Sequence, residues 1–219
     1  MLTKEQSTLL LEGARQLQIE LTTECAARIA VYLEELQRWA KIVDLVSQSD
    51  SGTIIRKHIL DSLATLSVLP FKGQLLDLGS GAGFPGLPIA MARPTLEVLL
   101  LDPRRKRTNF LREVIRKTAL INAHAYEGRA EEFVKQDERR SAFDVVITRA
   151  TWNIREFLNI ARPLITKNGI VVAMMGASTP EELTEKTFPQ NNQYSLKKFK
   201  RYNLPFGKEQ RALAIFSLT

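Results

Sequence analysis

The sequence predicts an α/β fold, a doubly wound and mainly parallel sheet preceded by an all-helical extension. Three observations carry that expectation. Residues 1–70 repeat apolar side chains at three- and four-residue steps. From Phe71 onward, short apolar runs alternate with amphipathic stretches. One of those runs, Leu75-Leu76-Asp77-Leu78, feeds a loop with four glycines in eight residues, Gly79 to Gly86. Strand–helix alternation implies parallel strands joined by right-handed crossovers. A glycine loop between a strand and a helix offers bare backbone N–H groups to a nucleotide-like ligand.

The helical extension opens at Thr3, where Gln6 completes a capping box ahead of Leu9, Leu10, Ala14 and Leu17. Gly13 interrupts that run. Thr22 or Thr23 caps a second helix, on which Cys25, Ile29, Leu33, Leu36, Ala40 and Val43 form one apolar stripe. Cys25 lies on the stripe and reads as a small core residue rather than a reactive thiol. Ser47–Gly52 is polar and reads as a loop. Thr53–Leu69 reads as a third helix, ended by Pro70.

Beyond Phe71 the expected strands are Gln74–Leu78, Leu96–Leu101 (ending at Asp102), Asn122–Tyr126, Phe143–Thr148 and Ile170–Met174. The expected helices are Leu87–Ala92, the strongly basic Arg105–Leu120, Ala130–Lys135, Arg155–Leu164 stopped by Asn168-Gly169, and a weak Pro180–Thr187. Gln193–Lys200 and Arg211–Leu218 alternate as strands with antiparallel character at the sheet end. The chain thus divides into a helical cap, 1–70, and a sheet domain, 71–219.

Composition narrows the function. Hydrophobic residues make up 44% of 219, enough for a packed core, and the net charge of +7 favours a polyanionic partner. One cysteine and two histidines, His58 and His124, argue against a disulfide framework and against a metal centre. The N-terminus lacks a signal pattern, and no apolar run approaches the ~18 residues that span a bilayer. A cytoplasmic chain without membrane contact is expected. The sequence does not fix the oligomeric state, and a monomer is the default.

Two ligand classes compete for the glycine loop. Gly81-Ala82-Gly83-Phe84-Pro85-Gly86 matches G-x-G-x-x-G, and Asp102 follows Gly83 by 19 residues, where a dinucleotide site wants its ribose acid. Asp77, two residues before Gly79, argues the other way, because a carboxylate there would face a diphosphate. It is tolerable beside the cationic sulfonium and ammonium of S-adenosylmethionine. The early spacing of Gly79, Gly81 and Gly83 also suits a nucleoside with an amino-acid tail, and Asp102 can accept both ribose hydroxyls. Ala130 and Glu131 follow the third strand, near the adenine in such sheets. Glu131 either accepts from the adenine amine or serves as a helix N-terminal charge. Arg149 ends the fourth strand as an ion-pair partner, for example of Glu131, or as a substrate contact.

These motifs carry a family resemblance. Asp77 through Pro88 resembles motif I of the glucose-inhibited division protein B family, the RsmG-type bacterial methyltransferases that modify N7 of a guanine in small-subunit ribosomal RNA. His58-Ile-Leu-Asp-Ser62, Leu100-Leu-Asp102 with Lys106-Arg107 and Phe110-Leu-Arg112, Arg129-Ala-Glu-Glu-Phe133, and Phe143-Asp144 through Arg149-Ala150 are similar to its other segments, in the family's order. The resemblance implies a class I, Rossmann-like methyltransferase fold with S-adenosyl-L-methionine as cofactor. It implies a cofactor site at Gly79, Phe84, Ala130, Glu131 and Arg149, to which Gly81 and Asp102 belong by the loop argument. The chain departs from the family at Asp44-Leu45-Val46, at Met175 and Ser217 where lysines are usual, and at Thr151-Trp152-Asn153-Ile154.

Guanine N7 carries an in-plane lone pair and no proton, so its methylation needs alignment and water exclusion rather than a general base. No nucleophile–base constellation is present, and Arg149 is the one catalytic candidate. Phe84 and Trp152 could face the cationic product. Residues 103–117 hold seven basic side chains and one acid. Arg104, Arg105 and Arg107 there, with Lys197, Lys198, Lys200 and Arg201 interleaved with Phe199 and Tyr202, are the candidate contacts to rRNA or the 30S subunit. His58 and Asp61 either cap the pocket or anchor their helix. Another RNA target, a non-catalytic RNA-binding relative and an NAD-linked oxidoreductase remain the alternatives at this level.

Overall fold

The computed structural model describes residues 2–45, 50–149, 153–177, 183 and 194–219. The helical extension holds α1 (Lys4–Gln16), α2 (Thr23–Trp39), α3 (Ser51–Ile54), a π-helical turn (Ile55–Ile59) and α4 (Leu60–Ala64), closed by a 3₁₀ turn. Both expected caps form. Thr3 and Gln6 exchange side chain–backbone bonds at 3.2 and 3.0 Å, and Thr22 accepts from the Cys25 N–H at 3.1 Å. The second helix ends at Trp39, short of Ala40 and Val43. Cys25 is buried, and burial pushes its thiol up to about 12, as befits a core residue. The expected single helix Thr53–Leu69 starts earlier, because Asp50 accepts from the Thr53 N–H at 2.9 Å and caps it at Ser51. It is also not uniform. The π turn inserts extra chain while Ile55 and Ile59 stay fully buried, which re-aims the residues between them.

Seven strands form one sheet among the described residues: β1 (Gly73–Leu78), β2 (Leu96–Asp102), β3 (Ala123–Glu127), β4 (Phe143–Arg149), β5 (Ile165–Met175), β6 (Tyr194–Asn203) and β7 (Gln210–Leu218). Their order is β3-β2-β1-β4-β5-β7-β6. The first five are parallel, and β7 is antiparallel to both β5 and β6. β6 therefore runs with β5, and its C-terminal end reaches the same sheet edge as the glycine loop. The chain reverses direction about β1, placing the β1 and β4 tips at the switch point where open α/β sheets bind ligands.

Alternating strand residues feed two cores. Leu75, Val145, Ile147, Val172 and Leu213 face α1, α2, α4, α5 (Gly86–Ala92) and α6 (Arg105–Lys117). Leu76, Leu78, Val146, Val171 and Phe216 face α7 (Ala130–Phe133) and α8 (Ile154–Ala161). The helical extension thus shares one hydrophobic core with the sheet. Asn122 joins a crossover to that core, its amide donating to the carbonyls of Ala90 at 3.1 Å and Leu96 at 2.9 Å.

One boundary differs for a clear reason. Asn168-Gly169 does not stop the preceding helix, which ends at Ala161 ahead of Pro163. Both residues lie inside β5, where the register against β4 jumps from Phe143↔Ile165 to Val145↔Ile170. A Cβ at Gly169 would come within 2.9 Å of the Asp144 carbonyl, so the glycine serves a strand irregularity. The expected helix Pro180–Thr187 lies outside the described residues apart from Leu183.

Phe110 on α6 is fully buried, with its ring 6.2 Å from Tyr32 and 5.9 Å from Trp39 on α2. It joins the extension to the basic helix. Phe110→Ala is expected to cost about 3–5 kcal/mol, read as the shift in unfolding free energy by urea titration.

Candidate functional site

The glycine loop between β1 and α5 cannot hold itself, because its exposed groups are backbone. Its supports are buried side chains. Asp77 Oδ2 accepts the Gly86 N–H at 2.9 Å, and Ser80 Oγ donates to the Asp77 carbonyl at 2.9 Å. A Cβ at Gly86 would meet Leu100 at 2.3 Å and Asp77 at 2.8 Å, so only glycine fits against this carboxylate. Asp77 is fully buried, and burial pushes its carboxyl up to about 7. Its Oδ1 is buried with no hydrogen-bond partner among the described residues. The acid thus braces the loop from beneath and keeps one acceptor free.

Gly81 is different. Its φ is +55°, a conformation that favours glycine, and a Cβ there would be in ordinary contact with Arg107 at 3.7 Å and the Gly79 carbonyl at 3.9 Å, so the backbone at this point is bare rather than packed over. Asp102, at the tip of β2, accepts the Gly81 N–H on Oδ2 at 3.0 Å and the Arg104 N–H on Oδ1 at 2.8 Å. Each oxygen retains a lone pair. Beside it lies a cavity of about 350 Å³, bounded by Gly79, Leu101, Pro103, Arg104, Ala130 and Glu131. Bare backbone, a two-oxygen acid, an apolar slot and the free Asp77 Oδ1 suit the ribose, the flat base and the ammonium tail of S-adenosylmethionine. The residues present fit that cofactor.

A second cluster gathers on the other side of the loop. The Phe84 ring is only 8% exposed. It lies 5.4 Å from Tyr32, is stacked at 5.1 Å on His58, and has the Arg149 guanidinium 5.8 Å from its centre. The Tyr32 hydroxyl donates to the Ala82 carbonyl, so α2 grips the loop at two points. Arg149 Nη2 donates to the Lys57 carbonyl and to His58 Nδ1, both at 2.8 Å. Both acceptors belong to the π turn. Guanidinium offers only donors, so the imidazole proton sits on Nε2. Burial, then Arg149, Lys57 and Arg211, push His58 down to about 4, which makes it neutral at pH 7. The acid for Arg149 is Asp61 on α4, at 3.4 Å, and not Glu131, which faces the cavity instead. Asp61 also lies 3.9 Å from Arg211 and accepts from the Tyr202 hydroxyl at 2.6 Å. Burial raises the Asp61 carboxyl, against the pull of Arg149, Tyr202 and Arg211.

The predicted site residues therefore fall into two groups flanking one loop. Gly79, Ala130 and Glu131 line the cavity beside Asp102 and Gly81, while Phe84 and Arg149 sit with His58. Trp152 lies outside the described residues. Tyr32 and Arg211 escaped the sequence reading. Tyr32 had one signal, since it continues the buried face of α2 between Ile29 and Leu36 and carries a hydroxyl that needs a partner.

The basic residues are less uniform than expected. Arg104 and Arg105 face solvent. Arg107 is half-buried and turns toward the loop, donating to the Asp44 carbonyl at 3.1 Å and lying 4.0 Å from Asp102. Lys197, Lys198 and Arg201 are exposed and Lys200 half-buried on β6. β2 and β6 are five strand spacings apart, about 24 Å, so the two clusters are separate patches. Of the departures from the family pattern, Ser217 pairs with Ile170, midway along β5 and away from the loop, whereas Met175 pairs with Ala212 at the loop edge.

Comparison with known proteins agrees with this geometry. Residues 26–214 match the model of the GidB family, rRNA small subunit methyltransferase G. Ribosomal RNA small subunit methyltransferase G of Desulfitobacterium hafniense is 35% identical over 94% of this chain and 86% of its own length. The protein of that name from Methylobacillus flagellatus is 37% identical over 78% and 81%. Among solved structures, M. jannaschii TYW2 in complex with AdoMet superposes with a TM-score of 0.56 at 15% identity, covering 74% of this chain and 76% of that one. An Aquifex aeolicus SAM-dependent methyltransferase gives 0.55 at 14% identity, over 76% and 93%. The structural likenesses establish the class I fold, and the family match with the sequence relatives establishes that this chain belongs to the GidB family of small-subunit rRNA methyltransferases.

Proposed function

We propose that this chain transfers a methyl group from S-adenosyl-L-methionine to N7 of a guanine in small-subunit ribosomal RNA, in the cytoplasm, with residues 1–70 acting as a helical cap on 71–219. The observation that supports it is the open backbone of the glycine loop, set between the Asp102 cavity and the Phe84–Arg149 cluster. When bound, the cofactor supplies an electrophilic methyl sulfonium. Gly79, Gly81, Ala130 and Glu131 would hold its nucleoside end, with Asp102 on the ribose and Asp77 Oδ1 toward the ammonium.

The chain's own contribution is positioning and charge balance. The in-plane lone pair of N7 needs no base, which fits a cluster in which His58 is neutral and spent on Arg149. Arg149 acts by position: its Nη2 and Nε are engaged by Lys57, His58 and Asp61, which holds the guanidinium beside Phe84 at the edge of the loop. Its charge is offset by Asp61, so the pair presents little net repulsion to the guanine cation that forms. No helix among the described residues is long and apolar enough to cross a membrane. The exposed Arg104, Arg105, Lys197, Lys198 and Arg201 are the proposed phosphate contacts.

The direct test offers labelled cofactor to small ribosomal subunits lacking the modification and maps the product nucleoside. 7-Methylguanosine is expected; label in protein, in another nucleoside or in no RNA would defeat the reading. Gly81→Val puts a branched side chain on the bare backbone and strains it locally at a φ of +55°. It is expected to abolish S-adenosylhomocysteine binding by calorimetry while leaving the circular dichroism spectrum unchanged, and retained affinity would move the site.

The Asp77 carboxyl, raised from 3.8 to about 7, gives a pH signature. Between those values the folded state binds more protons than the unfolded chain, so this group lowers stability as pH rises and levels off above 7. Asp77→Asn keeps an acceptor for the Gly86 N–H and has no proton to lose. Its Tm is expected to fall less than the wild-type Tm between pH 5 and 8, and parallel curves would show Asp77 already ionised at pH 5.

A further inference from the structure

A groove of about 700 Å³ opens between the C-terminal end of α1 and the β6–β7 turn, outside the loop site. Its walls include Lys200, Lys208, Phe206 and Asn203, with Gln16 and Gln18 from the α1 side, and no acidic residue lines it. The acid of the turn, Glu209, is engaged with Lys57 at 3.3 Å. Neither Lys200 nor Lys208 has an acidic partner within 4 Å among the described residues. Phe206 leaves 43% of its surface in solvent. Its Cε2 lies 3.1 Å from where a Cβ on Gly13 would sit, so the ring is steadied against bare helix backbone.

Among the described residues four non-glycine residues have positive φ, and two of them, Gln18 at 60° and Phe206 at 62°, stand on opposite walls of this groove. Gln18 closes α1, the Ile19 N–H reaching back to the Ala14 carbonyl at 2.9 Å, and Phe206 lies in the β6–β7 turn, so the backbone of both walls is fixed by local structure. The groove also touches the loop site. Tyr202 lines it, and the same side chain's hydroxyl reaches Asp61, the partner of Arg149.

We propose that this groove is a docking site for a single-stranded RNA segment that continues from the nucleotide held at Arg149, a step that rests on the function proposed above. Unpaired cations beside a steadied, exposed aromatic ring are what a single strand needs: Lys200 and Lys208 take phosphates, a base stacks on Phe206, and the amides of Asn203, Gln16 and Gln18 meet base edges. A duplex keeps its bases stacked on each other and cannot use Phe206. The groove sits at the loop edge of the sheet, because β6 runs parallel to β5 and ends there. It therefore extends the reaction site sideways along the carboxyl edge, away from Arg104 and Arg105.

The test uses the full chain and a fluorescein-labelled single-stranded RNA 12-mer, followed by anisotropy at several salt concentrations, with the matching duplex as comparison. Lys200→Ala/Lys208→Ala is expected to weaken single-strand binding at least tenfold and to lower the salt slope by about 1.4, two contacts at ~0.7 each. Phe206→Ala is expected to weaken it about fivefold or more, and Phe206→Tyr to restore it. S-adenosylhomocysteine affinity should be unchanged in all three, which also reports that they fold. Unchanged single-strand affinity in both alanine variants overturns the proposal, as does equal, equally sensitive binding of the duplex. Normal binding of the variants to deproteinised rRNA but not to intact small subunits overturns it in favour of a protein partner. Groove-dependent RNA binding by a wild type that methylates no RNA would leave the groove assignment standing and remove the proposed reaction.

Discussion

One buried carboxylate closes the glycine loop, and the rest of the site depends on that closure. Asp77 sits under the loop in the tip of β1 and fixes the amide of Gly86, nine residues on, at 2.9 Å. A loop that must leave its backbone bare for a ligand cannot use large side chains of its own to set its shape. Its shape comes from below, through Asp77, and from the side, through Tyr32 on the Ala82 carbonyl. The cost is a carboxyl in an apolar surround with one oxygen unpartnered, which burial answers by raising its affinity for a proton. A ligand that brought an ammonium to that oxygen would offset the same desolvation, and under the function proposed above Asp77 would then couple loop shape to cofactor binding.

The helical extension does for Arg149 what Asp77 does for the loop. Arg149 ends a sheet strand, yet its partners come from residues 57, 58 and 61. A regular helix through this region would carry one residue fewer in its turn. The π turn supplies the extra residue, and within it the Lys57 carbonyl and His58 Nδ1 both accept from one guanidinium nitrogen. Tyr202 and Arg211, from the far end of the sheet, then hold Asp61. A buried pair of this kind adds little net stability, because desolvation offsets attraction, while loss of one partner costs several kcal/mol. Its effect is to fix a direction: the guanidinium is held over Phe84 in a single orientation, which is what alignment chemistry requires.

How much of this was legible in the sequence follows from how local each signal is. The glycine loop, Asp102 and the strand–helix alternation are written in runs of a few residues, and they formed as expected. So did the Thr3 and Thr22 caps, which depend on neighbours three positions away. Asp61 with Tyr202 is a contact across 141 positions, and Arg149 with His58 one across 91; no local pattern encodes either. Pairing Arg149 with Glu131 failed for that reason, since strand order alone cannot say which of two nearby acids the side chain will meet. Asn168-Gly169 misled differently. The pair reads as a helix stop, but Pro163 had already ended the helix, and Gly169 was needed for a bulge against Asp144. Arg107 looked like its basic neighbours on α6, yet its helical position turns it toward Asp102.

The two lysines missing from the family pattern can be weighed by position rather than by count. Ser217 pairs with Ile170, midway along β5 and away from the loop, and its hydroxyl lies 3.5 Å from that of Ser195. A positive charge there would be far from the glycine loop and screened by solvent. Met175 is another matter, because it ends β5 one strand over from Arg149 and half-buried at the active edge. Met175 brings no cation to the edge that carries Tyr202 and Arg211, where the family resemblance leads one to expect a lysine. Arg211 stands 3.9 Å from Asp61 on the neighbouring strand, one register step beyond the residue paired with Met175. The chain thus keeps two arginines on the one carboxylate at this edge, and the local charge is lower than a third cation would make it. Under the reaction proposed above, whose product is itself positive, a lower local charge at this edge would favour product formation rather than oppose it.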